Sequence, residues 1–259
     1  MRTVVPALGI VAALGLALNA APAGSIVLVP TTLVIAPGEI ATSTMVRNET
    51  DAAVAFTVKA FTWQNSPAGD IRLEATQEVL VYPESLSLLP GESRRIRVGS
   101  QQSRETRILV EKSYRLLLES LPSPPPAGAS GAMTIRTRLQ LSLPIFLQPQ
   151  DRTARMSMRP PSIAAGRALL ALTNQGRVHV TPSAIAMTGH GARGEVVWTK
   201  ALQPWYVLAG ETRELSADLT ADECRRTSTV FAEATFSQGA QLTLREKRPV
   251  SPDAVCSPR

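Results

Sequence analysis

Aromatic side chains make up only 4% of this 259-residue chain, lysine occurs four times, and histidine and cysteine twice each. Each scarcity removes a class of function. His179 and His190 have no cysteine or clustered carboxylates near them in sequence, so neither a metal set nor a catalytic set forms around them. There is no Gly-x-Ser-x-Gly elbow, no His-Glu-x-x-His and no phosphate loop, and a non-enzyme without metal or cofactor is expected. The net charge is +6, from Lys+Arg 27 against Asp+Glu 21. No basic run carries interleaved aromatics, which leaves nucleic acid unsupported as a partner. The basic residues are mostly arginine, suited to forked contacts with carboxylates, but they are scattered. Past residue 23 no segment approaches the roughly 18 uninterrupted apolar residues of a membrane helix. Helical periodicity is also nearly absent.

What is present begins with a leader. Arg2, the apolar run Val4 to Leu18, and small residues at Ala20, Ala21 and Ala23 have the order of a secretory signal peptide over 1–23. The remaining chain of roughly 235 residues holds two ordinary domains or one large sandwich. In an exported protein the pair Cys224 and Cys256 is most simply a disulfide. A metal site is the weaker alternative, because two cysteines without a neighbouring histidine lack ligands. The closed loop of ~30 residues would add about 3 kcal/mol in the chain-entropy model.

Apolar alternation and turn dipeptides recur along the rest. SIVLVPTTLVI (25–35) is a strand broken by Pro30, which points to a sheet edge or a switch of sheets. Strands are expected over Ile40–Arg47, Val54–Trp63, Val79–Tyr82, Leu86–Leu89, 93–99 and 114–121, with Asn48-Glu49-Thr50 a hairpin tip or a glycosylation sequon. After the polar QPQDRTAR the pattern restarts, with strands over Ala168–Thr173, Val178–Met187, Val196–Trp198, Trp205–Leu208, Thr212–Leu215, Thr229–Phe236 and Gln241–Leu244. Ala209-Gly210-Glu211 echoes Pro37-Gly38-Glu39 and Pro90-Gly91-Glu92. Many short strands with Gly/Pro/Asn turns in both halves predict an all-β chain of two antiparallel sandwiches, 24–149 and 150–259.

The most informative stretch is Met133 to Gln148. Met133, Ile135, Leu139, Leu141, Leu143, Ile145 and Leu147 fall on one face, with Thr137 the only polar interruption. Strands usually run about 3–10 residues, so this ridge is long enough to reach past its own sheet. Before it sits SLPSPPPAGASGA, which forms neither helix nor central strand. A long apolar strand fed by a loose loop is suited to lending an edge to another chain.

Four segments in order resemble the first domain of the periplasmic pilus chaperones, the PapD-like family. They are the first strand running into Ala36-Pro37-Gly38-Glu39, LLPGESRRIRV (88–98), YRLLLESLP (114–122) and RLQLSLPIFLQP (138–149). GRALLALTNQGRVHV (166–180) is similar to the family's second domain. The resemblance implies two immunoglobulin-like sandwiches in an L, or boomerang, and a chaperone that inserts a strand into the groove of an incomplete pilus subunit. By position Met133, Ile135, Thr137 and Leu139 would enter that groove, while Leu141, Leu143 and Ile145 continue toward the chaperone's own core. Four or five buried apolar side chains would contribute on the order of 10 kcal/mol gross.

The resemblance also implies a basic pair that holds the subunit's terminal carboxylate, but its positions are Thr32 and Pro144 here, neither able to form an ion pair. Arg115 is the substitute anchor candidate. An inter-domain salt bridge of the family is incomplete, since Glu111 matches its acid but Gln148 stands in place of the arginine. These departures look like the divergent branch serving spore-coat-U-type or archaic pili. The implied partners are such subunits and an outer-membrane usher, with self-association capping the open edge. A structural or adhesive component of a surface assembly is the alternative.

Overall fold

The computed structural model describes residues 24–102, 107–121, 138–236, 242–250 and 256. The expected leader 1–23 and the first half of the apolar ridge lie outside the described residues. The first half of the chain forms β1 (Ile26–Val29), β2 (Leu33–Ile35), β3 (Ala41–Asn48), β4 (Val54–Asn65), β5 (Ile71–Ala75), β6 (Val79–Tyr82), β7 (Ser85–Leu88), β8 (Ser93–Ser100), β9 (Lys112–Ser120) and β10 (Gln140–Leu147). The second half forms β11 (Met156–Met158), β12 (Ser162–Ala164), β13 (Arg167–Asn174), β14 (Pro182–His190), β15 (Val196–Leu202), β16 (Thr212–Asp218), α1 (Ala221–Arg226), β17 (Thr229–Phe236) and β18 (Leu242–Pro249).

Strands β1–β10 make two sheets, ordered β1-β3-β8-β6 and β2-β10-β9-β4-β5, with β7 also on β4. Pro30 does divide the first segment between sheets: β1 pairs antiparallel with β3, and β2 pairs parallel with β10. Alternate residues of each strand point inward, and Val46, Phe56, Val58, Ile96, Val98, Leu116 and Leu118 meet in a core from which solvent is excluded. Asn48 ties the β3 hairpin from within: its amide donates to Ala52 O (2.8 Å) and Leu88 O (3.1 Å), and its carbonyl accepts Thr50 N–H (2.9 Å). With 0% exposure, this residue is a hairpin tie and not a glycan acceptor.

Strands β11–β18 make a second pair of sheets, β11-β13-β12 with β16 on β13, and β15-β14-β17-β18. Ala168, Leu170, Leu172, Ile185, Met187, Val230, Ala232 and Ala234 form their core. Cys224 and Cys256 are bonded, with Cα atoms 5.7 Å apart. Cys224 sits on α1, which the strand pattern did not foresee. Thr220 and Glu223 cap that helix reciprocally, so its signal was a capping box rather than an apolar period.

Two further expectations need correction. The returning strand begins at Pro182, not Val178; before it, Val180 makes an isolated bridge to Val207. Trp205–Leu208 is accordingly no strand: its backbone makes only that one bridge, and Tyr206 packs on Trp63 and Phe146 of the first half. The echoing turns are one device used three times. Gly38, Gly91 and Gly210 have φ of 82°, 76° and 79°, and the following glutamate N–H returns to the carbonyl three residues earlier, at 3.0, 3.0 and 3.1 Å. A left-handed residue in the third position of such a turn favours glycine.

Candidate functional site

Strand β10 has one closed border and one that is mostly open. It pairs with β9 along its whole length, Gln140↔Glu119 to Leu147↔Lys112. The Leu139 carbonyl accepts from Ser120 N–H, so odd-numbered backbone groups face β9. Even-numbered ones face away, as Gln148 N–H shows by donating to Ile35 O at 3.0 Å. On that side β2 covers only Ile145, Phe146 and Leu147. From Gln140 to Pro144 no strand lies along this border among the described residues.

The side chains of the ridge divide in the same way. Leu143 and Ile145 are sealed in this domain's own core and Leu141 packs partly against it. Leu139 is 38% exposed. Met133, Ile135 and Thr137 lie outside the described residues.

The opposite face of the same sheet carries the second feature. Thr32 is half-buried in the bend before β2, one step ahead of Leu33, the neighbour of Ile145. Pro144 is the Cα partner of Arg115, which is in turn opposite Phe61. Pro144 and Arg115 therefore share one row of the sheet, and Thr32 lies beside it in the bend that leads into β2. Arg115 is only 4% exposed. Its guanidinium lies 3.7 Å from the centre of the Trp63 ring, with Trp205 at 5.7 Å and Tyr206 at 5.8 Å. A cation over aromatic faces is favourable, yet Nε and Nη2 have no hydrogen-bond partner among the described residues. Burial pulls this guanidinium below the usual arginine range, with Tyr206 acting the other way; an arginine still keeps its charge. The result is a desolvated cation with unused donors.

The second sandwich closes over the root of β10. Glu111, just ahead of β9, accepts His179 N–H (2.8 Å) and pairs with His179 Nδ1 (2.7 Å), while its own N–H donates to Arg177 O (2.8 Å). The His179 ring stacks on Phe146 of β10, centres 3.6 Å apart and planes at 14°. Glu111 is thus tied to the second domain by hydrogen bonds to His179, while Gln148 supplies no cation there. Glu211 makes the second latch, accepting Asn65 N–H (2.9 Å) and Nδ2 (3.0 Å). Between these latches runs a cleft of about 550 Å³ bordered by Trp63, Glu111, Tyr114, Leu208 and Glu211. Beside it Tyr114 OH and Lys112 Nζ donate to Glu78 Oε2 at 2.6 and 2.9 Å. Those two bonds hold the Glu78 carboxyl below its ordinary value. No group of three or more His, Cys, Asp or Glu able to hold a metal occurs among the described residues.

Residues 25–152 match the PapD N-terminal domain family, pili and flagellar-assembly chaperones. The chain carries a PapD-family domain. Solved structures agree at the level of fold across both halves of this PapD-like chain. The chaperone of the CsuC–CsuE chaperone-tip adhesion subunit pre-assembly complex, from archaic chaperone-usher Csu pili of Acinetobacter baumannii, is similar with TM-score 0.59 at 18% identity, covering 86% of this chain and 98% of that one. The E. coli chaperone DraB gives 0.54 at 14%, covering 87% and 98%. The Salmonella enterica SafA pilin–SafB chaperone complex gives 0.53 at 10%, covering 87% and 96%. No curated protein matches the sequence.

Sequence reasoning singled out Arg115 and the ridge, but it gave His179 no role at the domain boundary and did not single out Tyr206. Both belong to strand-like or turn-rich stretches, and their partners lie in the other domain, so no local spacing could show them.

Proposed function

We propose that this PapD-like chain is a periplasmic chaperone that stabilises pilus or coat-like subunits by lending them a strand and hands them to an outer-membrane usher. The observation that carries this reading is the unpaired border of β10 over Gln140–Pro144, continuous with the apolar ridge that precedes it. An incomplete sandwich gains from such a border both backbone ladder bonds and apolar side chains. Met133, Ile135, Thr137 and Leu139 are the side chains assigned to the subunit's groove. Leu141, Leu143 and Ile145 hold the lent strand to its owner. Arg115, charged, buried and with free donors, is assigned the subunit's terminal carboxylate, beside Thr32 and Pro144, which supply no charge.

The test is co-expression with the pilus subunit encoded beside this chain. The parent is expected to yield a one-to-one soluble complex. Ile135→Asp with Leu139→Asp places two charges where apolar burial is required and is expected to abolish it. If a well-folded double variant still captures the subunit, strand lending by this segment is wrong.

A further inference from the structure

We infer that Pro144 marks the seam between the part of β10 that this chain keeps for itself and the part it lends, and so sets the register of a captured strand. The inference rests on the strand-lending reading and adds to it a residue that positions the partner.

Position 144 is even-numbered, so its backbone faces the border away from β9. Cleft-ward of it, β2 occupies that border at Ile145 to Leu147. On the other side Ser142 and Gln140 are exposed, with their N–H and C=O groups directed to the open border. Pro144 is between them and is buried. An N–H here would be out of reach of the β2 ladder, which begins at Leu33 opposite Ile145, and would be shielded from water. A buried donor without a partner is destabilising. Proline has no such donor, so the seam leaves none orphaned in the unloaded chain.

The same absence acts on a partner. An incoming strand finds N–H donors at Gln140 and Ser142, none at Pro144, and β2 in its way beyond. A strand that slips toward the cleft by one side-chain repeat, two residues, gains no ladder donor and meets β2. The last donor is therefore Ser142, one repeat above the row that holds Arg115 and its unused Nε and Nη2. Register and end-anchor are set on adjacent rows.

Amide hydrogen exchange on the full chain, alone and with the pilus subunit encoded beside it, tests this. In the free chain the Phe146 and Gln148 amides are expected to be protected and those of Ser142 and Gln140 to exchange freely; capture then protects the latter two. Protection of Ser142 in the free chain, or loss of it at Phe146, overturns the seam. Register is measured by disulfide trapping between Gln140→Cys and single cysteines along the subunit's last strand. One subunit position is expected to trap with Pro144, and a second, two residues away, with Pro144→Ala. An unchanged single position in a folded Pro144→Ala complex overturns the inference. Should that variant not fold, Ser142→Pro moves the last donor to Gln140 and is expected to shift the trap by two residues; no shift overturns it equally. Failure of the parent to bind the subunit sinks the function proposed above, while the exchange pattern of the free chain still decides the seam.

Discussion

At the scale of single residues, Arg115 is the most exposed to test because its burial is unbalanced. A hydrogen bond to a charged group contributes about 1.5–3 kcal/mol, so removal of the guanidinium is expected to weaken subunit capture by about 10- to 100-fold. Arg115→Ala should do this while the first domain still unfolds cooperatively. Arg115→Lys keeps the charge but loses the fork and the flat stack on Trp63, and should fall between the two. Titration of the subunit by calorimetry measures both, and equal affinities across the series would remove Arg115 from the anchor.

Glu78 offers a pH test at the same scale. Its folded carboxyl is held below the ordinary 4.5, first by Tyr114 OH and then by Lys112. Its contribution is therefore present above that value and fades as pH falls through the lowered one. Tyr114→Phe removes the larger cause. Urea midpoints of parent and variant should lie apart near neutrality and draw together as pH falls from the ordinary 4.5 through the lowered value. A gap that stays constant with pH would assign it to the lost hydroxyl alone. Such residues show how far a sequence can be followed. Arg115 could be singled out because the family's basic positions hold Thr32 and Pro144. His179 could not, because its carboxylate is 68 residues away and nothing local marks it.

At the scale of elements, the alternating strands were legible wherever the period ran unbroken: Thr229–Phe236 and Val79–Tyr82 agree to the residue. The turns were legible as wording but not as use. Glu39 and Glu92 each accept from the start of their own turn, Ala36 N–H and Leu89 N–H, whereas Glu211 reaches across to Asn65. A Cβ on Gly38, Gly91 or Gly210 would meet no atom within 4 Å, so alanine there is penalised by backbone conformation alone, at about 1–2 kcal/mol. Gly38→Ala and Gly210→Ala should thus cost similar amounts in their own domains. Only Gly210→Ala should also loosen one domain from the other, seen as new proteolytic cutting between residues 148 and 156. Equal cutting in both variants would show that Glu211 is not a latch. The open border of β10 was the least legible element of all. Alternation announces which side chains face the core, but which border stays unpaired depends on where Pro30 sends β2.

At the scale of the molecule, the two sandwiches meet at the end of β10. Phe146, the outward neighbour of Ile145, is the surface on which His179 stacks, and His179 is held there by a carboxylate with no exposed side-chain area. Glu111 Oε2 has no hydrogen-bond partner among the described residues, and its Oε1 is held by His179. Breaking a buried pair by removing one partner typically costs about 3–5 kcal/mol, while replacing both by apolar groups is often close to neutral. His179→Ala is therefore expected to destabilise the domain junction more than Glu111→Leu with His179→Leu, even though the double variant removes more of the native contact. The loss should appear in solution scattering as a larger radius of gyration for His179→Ala, and in capture assays as weaker binding, because Phe146 and the end of β10 lose their backing. If the double variant loses more than the single one, the pair contributes net attraction rather than merely satisfying a buried acid; if His179→Ala keeps the parent's scattering curve and affinity, neither the pair nor the stack on Phe146 holds the second domain.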